Sequence, residues 1–389
     1  MTTQLLEGRW NETKDALLEG LQGSKRTTMA IILENTKKHL METATSGATA
    51  VGNVATLNRV ILPVIRRVMP TVIANEIVGV QPMTGPVAQI HTLRVRYADQ
   101  VSASSGDSTT PGDEALSPYR IATAYSGTTA GKAASTSTLE GTPGNRINVQ
   151  ILKQVVEAKT RKLSARWTFE AAQDAQSMHG LDVEAEIMAA LAQEITVEID
   201  QEILASLAAL SGNSYNFNQA TVSGTATFVG DEHAALAVLI NRAANLIAQR
   251  TRRGAGNWAV VSPEALTVLQ SATTSAFARS TEGTFEAPTN TKFVGTLNNA
   301  MKIYVNSYAA SGTSVLVGYK GSSEADAAAF YCPYVPLMSS GVVLDPNTFE
   351  PVVGFMTRYG YAELTNTASS LGNAADYLDS IGVSNLSFQ

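Results

Sequence analysis

The stretch from Asp182 to Leu210 constrains the fold more than any other part of the sequence. Apolar residues recur there at every fourth position, namely Val183, Ile187, Leu191, Ile195, Ile199, Ile203 and Leu207. This spacing predicts one amphipathic helix of about 44 Å, because each residue adds about 1.5 Å along the axis. Asp182 is a suitable N-cap, and Ser211-Gly212-Asn213 is a suitable end. Such a helix is longer than most helices of globular proteins.

Acidic residues predominate on this helix. Glu194, Glu198 and Glu202 stand about one turn apart, and each neighbouring pair costs a few tenths of a kcal/mol unless cations lie opposite. The sequence has no Lys or Arg between Arg166 and Arg242. The cations must therefore come from elsewhere in this chain or from another chain, unless the acidic residues simply form a solvated face.

Length and composition indicate a folded protein and argue against several classes. With 389 residues, 44% hydrophobic and 16% charged, the chain can form a sizeable core. A net charge of -6 argues against a protein whose main task is to bind nucleic acid. The single cysteine, Cys332, excludes an internal disulfide framework. We find neither a signal-peptide pattern nor a run of 18 apolar residues, so we expect cytosolic synthesis and no membrane span.

The first half of the chain predicts an arm and an extended hairpin. Residues 1–80 contain short helical patterns followed by a dense apolar segment. The period then changes to two, and Arg94 and Arg96 lie on the basic face of a predicted strand. Alternation returns within residues 147–169, after small and polar residues at 99–145. Two strands that flank so long a segment of small and polar residues predict a hairpin that projects from the rest of the protein.

The charge of this hairpin complements the charge of the long helix. Between Arg146 and Trp167 there are six basic residues and one acidic residue, Glu157, which gives a net +5 (6 − 1). A hairpin of this length cannot easily fold back along the helix that follows it. The simplest arrangement places it on the helix of a neighbouring copy, which predicts a homo-oligomer with interlocked subunits. Charge alone leaves the intramolecular arrangement open.

The second half of the chain predicts an α/β domain and a strand-rich end. Helical and strand patterns alternate in the following order: a polar hairpin at 214–230, a helix at Asp231–Arg250, a strand at Asn257–Ser262, a helix at Pro263–Ala272, and strands at Lys292–Tyr308 and Ser314–Tyr319. This alternation is typical of an α/β domain over residues 214–328. Residues 327–364 then read as strands.

No constellation of residues predicts catalysis, a cofactor or a metal. The four histidines are scattered and do not cluster with carboxylates at ligand spacing. Gly127–Ala133 resembles a phosphate loop, but it is one residue short and lacks the Ser or Thr after the Lys. Cys332 lies in an apolar strand and is expected to be a buried small hydrophobe. The basic segment Arg250–Gly256 fits a helix C-terminus better than a phosphate site.

Two stretches resemble the major capsid protein of contractile-tailed bacteriophages. They are residues 65–86 followed by Leu93-Arg-Val-Arg-Tyr97, and Tyr331-Cys-Pro-Tyr-Val-Pro-Leu337 together with residues 349–360. The segment Phe169–Glu202 is similar too, and the resemblance spans residues 60–364 with gaps. It implies an α+β protein with the Hong Kong 97 type capsid fold.

The resemblance also implies a division of the chain. The expected parts are an N-terminal arm and the segment after it at 1–86, an extended β-hairpin loop at 87–167, a peripheral domain at 168–213 and 329–389 with a spine helix at 182–210, and an axial α/β domain at 214–328. The patterns described above predict an arm, a hairpin, a long helix and an α/β domain in this same order.

In a shell of this kind the complementary charges would lie between subunits. The expected inter-subunit contact residues are Arg94, Arg96, Lys159, Lys162 and Arg166 of one subunit and Glu194, Glu198 and Glu202 of the next. An exposed ion pair contributes only about 0–1 kcal/mol. Such pairs would therefore set the register, while apolar contacts would supply most of the affinity.

The implied function is structural, with no enzyme activity and no cofactor. The resemblance implies hexamers and pentamers in an icosahedral virion shell that encloses double-stranded DNA without sequence-specific binding. Vertex, portal, scaffold or decoration proteins are the kinds of partner that such a shell protein can have, and no membrane partner is expected. An encapsulin-type bacterial compartment shell, which encloses enzymes, is the first alternative. A cytosolic α/β enzyme that uses residues 214–328 is the second.

Overall fold

The fold is taken from a computed structural model. It describes the following residues: 10, 14–15, 18, 26–35, 73–101, 109–115, 125, 135–141, 144–179, 182–222, 229–271, 277–279, 292–298, 300–309, 315–365 and 372–386. Most of the predicted arm, of the apolar segment after it and of the hairpin tip lies outside the described residues, as does Gly127–Ala133.

The described chain contains eight helices with at least four described residues each, a 3-10 turn and thirteen strands. The helices are α1 (26–35), α2 (Ala74–Ile77), α3 (Thr136–Leu139), α4 (Phe169–His179), α5 (Val183–Ala209), α6 (Gln219–Val222), α7 (Val229–Thr251) and α8 (Pro263–Ser271), with a 3-10 turn at Ala374–Tyr377. The strands are β1 (Gly79–Val80), β2 (Val87–Tyr97), β3 (Ile147–Glu157), β4 (Lys159–Arg166), β5 (Asn213–Asn218), β6 (Trp258–Val261), β7 (Phe277–Arg279), β8 (Lys292–Leu297), β9 (Met301–Val305), β10 (Val315–Gly318), β11 (Ala329–Leu344), β12 (Pro351–Glu363) and β13 (Leu378–Ser384).

The chain forms two compact units. The first comprises Met1–Ala88, Val156–Leu204 and Phe330–Ala362. Its sheet has the strand order β1-β11-β12-β4, in which β1 is parallel to β11 and β12 is antiparallel to β4. Helix α5 buries Ile195, Ile199 and Ile203 in this unit. The core of the first unit therefore uses the apolar row that the period of four predicted.

The second unit contains the larger sheet. It comprises Gln89–Val155, Ala205–Ala329 and Glu363–Gln389. Seven strands follow the order β5-β13-β10-β6-β9-β8-β7, while β2 and β3 form a separate two-stranded sheet. Helix α7 packs Leu236 and Ile240 into a core with the strand residues Val261 and Ile303. This core explains the apolar face that the sequence shows in this helix.

Several predicted elements are confirmed. Helix α5 spans 27 residues, or about 40 Å, and the Oδ1 atom of Asp182 accepts hydrogen bonds from the backbone N–H groups of Glu184 (3.1 Å) and Ala185 (3.4 Å). The predicted helices that begin at Asp231 and Pro263 and the strand at Asn257 are found within two residues of their expected bounds.

In the part of the chain that the structure describes, no helix is both long and apolar enough to span a membrane.

Two predicted elements are wrong. Residues 213–218 form a parallel strand beside β13 rather than a polar hairpin, because Asn216 and Asn218 bond to Ser384 and Asn385 instead of turning the chain. The strand that was expected to continue to Phe169 ends at Arg166. Thr168 accepts a hydrogen bond from the backbone of Ala171 and so begins helix α4.

The extended hairpin is also paired differently from the prediction. Strand β2 pairs with β3, which ends at Glu157, whereas β4 pairs with β12 with Lys159 opposite Tyr359. Ala158 separates β3 from β4, and its N–H donates to the carbonyl of Pro86. The basic residues of β4 are therefore part of the four-stranded sheet rather than of the hairpin.

Cys332 is the buried small hydrophobe that the sequence predicted. It is 1% exposed in β11, and burial raises the pKa of its thiol to about 11. Only about 0.1% of this thiol would be ionised at about pH 8. We expect no reaction with an aromatic disulfide reagent in the folded chain and complete reaction in concentrated urea, measured by absorbance. Rapid modification of the folded chain would contradict this burial.

Candidate functional site

A cluster of charged residues in the first unit joins β4 to the long helix α5. Arg161 Nη1 lies 2.8 Å from Glu198 Oε2, and Nη2 lies 2.5 Å from Glu202 Oε2. The Nε–H group of Arg161 donates to the hydroxyl of Tyr359 at 2.6 Å, and this hydroxyl donates to Glu202. One guanidinium thus connects the helix to two strands. We call these four residues the Arg161 cluster.

The hydrogen bonds of the Arg161 cluster stabilise its charged forms. Burial alone would raise the pKa of Glu202, but hydrogen bonds from Arg161 and Tyr359 outweigh burial and lower the pKa. Burial and the hydrogen bond to Glu202 raise the pKa of Tyr359 above its ordinary value. Glu202 is therefore ionised and Tyr359 is protonated near neutral pH, and the cluster acts as a structural link.

The cluster predicts a pH-dependent stability. The folded-state pKa of Glu202 lies below its ordinary value of 4.5. The ionised carboxylate therefore stabilises the folded state fully above pH 4.5, and this stabilisation is lost as the pH falls through the folded-state pKa. We expect Glu202→Gln to lower the free energy of unfolding at about pH 7 and to have less effect at about pH 3. Urea titrations at both values measure this difference. Glu194→Gln is the control, and an equal deficit at both values for Glu202→Gln would contradict the assignment.

The structure places the predicted basic residues of β4 on two different faces. Lys159 lies on the face of Arg161, is exposed, and contributes to the lowered pKa of Glu202. Lys162 and Arg166 are exposed on the opposite face, where Arg166 Nε lies 3.8 Å from Glu350. Arg161 was not among the contact residues predicted from the sequence, although strict alternation from Leu163 places it on the packed face.

The predicted basic residues of β2 are buried within the second unit. Arg94 is 5% exposed, and its guanidinium lies 2.8 Å from Glu114 and donates to the carbonyl of Gly372 at 3.1 Å. Gly372 has a φ of +76°, and a Cβ atom there would collide with Arg94 and Glu114. Arg96 is 7% exposed, and its backbone bridges to Glu114. These arginines therefore anchor the base of the hairpin within their own chain.

The acidic residues of α5 have different surroundings. Glu198 and Glu202 belong to the Arg161 cluster, so the intramolecular arrangement that charge left open is realised for these two. Glu194 is exposed and has no ion pair with any described residue. Asp200 is fully buried and accepts a hydrogen bond from the backbone of Ile73 at 3.0 Å. Whether any of the eight predicted residues contacts another subunit stays a prediction.

The two-stranded hairpin of the second unit carries a group of exposed apolar side chains. Leu93, Val149, Ile151 and Val155 are between 50% and 69% exposed. Val149, Ile151 and Val155 share one face of β3, because alternate residues of a strand point the same way. Clustered exposure of this kind marks an interaction surface more often than an ordinary solvated surface. We call these four residues the hairpin patch.

The basic segment at the C-terminal end of α7 forms ion pairs. Arg250 Nη2 lies 2.8 Å from Asp379, whose side chain is fully buried, and Arg253 Nη1 lies 2.7 Å from Asp326. Burial raises the pKa of Asp379, and Arg250 offsets part of this effect. These contacts favour the structural role that the sequence predicted over a phosphate site. Within the described ranges, no group of three or more His, Cys, Asp or Glu residues could hold a metal ion.

Comparison with known proteins gives consistent matches. The family model described as major capsid protein Gp23 matches residues 54–383. The major capsid protein of Vibrio phage KVP40 is 31% identical over 85% of this chain and 82% of its own length. The major capsid protein of Enterobacteria phage T4 is 29% identical over 79% of this chain and 75% of its own length. The solved capsid of Myoviridae Phage XM1 aligns with 79% of this chain and 89% of its own at 10% identity and a TM-score of 0.43.

The family match covers more than half of the chain and places it among structural proteins of phage particles, a class that is not an enzyme family. The chain belongs to the major capsid protein Gp23 family. The predicted resemblance is thereby confirmed, as are the α+β fold class of the Hong Kong 97 type and the function of a phage major capsid protein. Its location is the virion capsid, and the encapsulin alternative is not favoured.

Proposed function

We propose that this chain assembles into hexamers and pentamers that form an icosahedral head shell around double-stranded DNA. The hairpin patch is the observation that supports this most directly. Four large apolar side chains on a two-stranded sheet contribute less to the stability of the isolated unit than buried side chains would, since each is at least half exposed. Burial against a second copy would remove them from water and supply about 25 cal/mol for each Å² buried.

Exposed charges support a contact between subunits. Lys159, Lys162 and Arg166 of β4 are exposed, as is Glu194 of α5. Lys159 lies on the face of Arg161, and Lys162 and Arg166 lie on the opposite face. In the proposed shell, the lysines and Arg166 of one copy face Glu194 of the next. Arg94, Arg96, Glu198 and Glu202 take part less directly, because burial or partners within the chain hold them in place. Such pairs set register and association rate more than affinity.

The domain boundaries complete the proposal. The predicted division assigns 168–213 and 329–389 to the peripheral domain, 214–328 to the axial domain, 87–167 to the extended loop and 1–86 to the arm. In this proposal two strands change place: β4 joins the sheet of the peripheral domain, and β13 joins the seven-stranded sheet of the axial domain. The seven-stranded sheet around α7 supports an axial domain, and the sheet beside α5 supports a peripheral one. Scaffold, portal, vertex or decoration proteins would join the shell as partners. The mildly acidic chain would enclose DNA without sequence-specific binding and would carry no catalytic activity.

Charge reversal tests this proposal. We expect the combined variant Lys159→Glu, Lys162→Glu and Arg166→Glu to assemble at least about 10-fold less readily than the wild type, because three exposed cations of β4 become anions. Light scattering and negative-stain imaging measure the assembled fraction. A high salt concentration should weaken wild-type assembly in the same direction, since salt screens exposed charges. Unchanged assembly of the triple variant would contradict the proposed charge contact.

A further inference from the structure

The turn between β11 and β12 presents an aromatic side chain to solvent. Phe349 is 72% exposed, the largest exposure among the large hydrophobic residues that the structure describes. The turn itself is well ordered by hydrogen bonds: the N–H of Phe349 donates to the carbonyl of Asp345 at 2.8 Å, and the N–H of Asp345 donates to the carbonyl of Glu350 at 3.0 Å. The ring is therefore held outward by a closed turn.

The stability of the subunit does not explain this residue. Phe349 has a φ of +57°, in the left-handed region where a side chain is disfavoured and glycine is not. A phenylalanine there strains the backbone and also exposes a large apolar surface to water. Strained positions of this kind cluster at functional sites. An apolar recess that accepts the ring would account for both features.

A recess of this kind lies on the same sheet. A cleft of about 460 Å³ opens between β4, β11 and β12 in the first unit, and its lining includes Leu163, Met338 and Met356. Methionine side chains adapt to the shape of a partner and make favourable contacts with aromatic rings. The cleft volume lies within the range of clefts that bind small apolar groups.

Charges around the turn and around the cleft are complementary. Lys162 lines the cleft, is exposed, and has no ion pair with any described residue. The turn carries Asp345 and Glu350 next to Phe349. Glu350 lies 3.8 Å from Arg166, which is largely exposed. Because this contact is long, the carboxylate of Glu350 can also pair with a second cation.

We propose that Phe349 of one copy inserts into the cleft of a second copy, with Glu350 beside Lys162 of the receiving copy. The ring cannot reach its own cleft, because five residues of extended chain, about 16 Å, separate Phe349 from Gly354 in the cleft wall. Turn and cleft are different surfaces, so the contact is head-to-tail and closes into a ring in a symmetric shell. This inference rests on the proposed shell function and adds a second contact to it, distinct from the hairpin patch.

Removal of the ring is the first test. Phe349→Gly deletes the ring and relieves the left-handed strain, so the subunit should unfold at the same or a higher temperature than the wild type. The concentration needed for assembly should rise about 30-fold, as for loss of a central aromatic anchor. Light scattering as a function of concentration measures the concentration needed for assembly, and thermal unfolding of the unassembled chain measures the unfolding temperature. Assembly at the wild-type concentration would overturn the inference.

Filling the cleft is the matched test on the receiving surface. A Cβ atom at Gly354 would make only ordinary contact with Ser340, at 3.4 Å, so Gly354→Leu fills space without backbone strain. We expect the same loss of assembly as for Phe349→Gly. Phe349→Tyr should assemble close to normally, because it keeps the ring. Normal assembly of Gly354→Leu would contradict the assigned cleft.

Crosslinking identifies the contact itself. The double variant Thr348→Cys with Ser340→Cys keeps the Phe349 ring and places one thiol in the exposed turn and the other in the cleft wall. Treated with a short bismaleimide, it should give a ladder of linked chains on a denaturing gel, while the buried Cys332 stays unmodified. Particles that form without linked chains would overturn the inference and leave the shell function standing. A wild-type chain that forms no particles under any condition would instead contradict the shell function, and the inference would fall with it.

Discussion

Replacing Ile151 by glutamate is expected to abolish shell formation while the subunit stays folded. Ile151 is 69% exposed in the isolated chain, so the substitution should change the free energy of unfolding by no more than about 0.5 kcal/mol. In the assembled state the same position would bury an unpaired carboxylate. Burial of that charge should raise the concentration needed for assembly by about 100-fold or more.

A nearby position on the same strand provides the control for the Ile151 variant. Asn148 is exposed on the opposite face of β3, so Asn148→Glu adds the same charge to the same strand without touching the hairpin patch. We expect Asn148→Glu to assemble within about 3-fold of the wild type. Light scattering and negative-stain imaging of both variants distinguish the faces. Equal assembly by Ile151→Glu and the wild type would show that the hairpin patch is not an interface.

The second large effect is expected at the buried ion pair of the second unit. Arg250→Met leaves the fully buried carboxylate of Asp379 without its cation. Loss of one partner of a buried pair costs about 3–5 kcal/mol, and the lower end applies here because Arg250 is 24% exposed. We expect a loss of about 3 kcal/mol in the free energy of unfolding, measured by urea titration at neutral pH.

Two controls separate this charge effect from a packing effect. Arg253→Met removes an exposed partner, with the Arg253 side chain 42% exposed, and should cost about 1 kcal/mol or less. The deficit of Arg250→Met should shrink as the pH falls, because Asp379 has a raised pKa and its protonated form needs no cation. A deficit that does not depend on pH would indicate lost packing of the Arg250 side chain instead.

The parts of the fold that could be predicted from the sequence are those that local hydrophobic patterns determine. The period of four predicted α5 and its buried row, since the row packs on the same side of each turn. Alternation of helical and strand patterns located α7, β6 and α8 within two residues. The partner of β4 could not be predicted, because Lys159 lies opposite Tyr359, 200 residues further along the chain, and no local pattern encodes that choice.

The candidate site was harder to predict, because charge was counted without regard to strand faces. The sum over Arg146–Trp167 treated β4 as one basic surface, whereas alternation divides it into the Arg161 face and the Lys162 face. Arg94 and Arg96 look exposed in a polar sequence context, yet both are buried. Burial of a charge depends on its partners, and those of Arg94 are Glu114, 20 residues away, and Gly372, 278 residues away.

Electron cryomicroscopy of particles formed by the purified chain is the most direct test of the proposed function. If the chain is the head shell subunit, the particles will be closed icosahedral shells built from sixfold and fivefold rings, and the hairpin patch of each subunit will be covered by its neighbour. Discrete small oligomers, or rings in which the hairpin patch stays exposed to solvent, would contradict the proposed assembly.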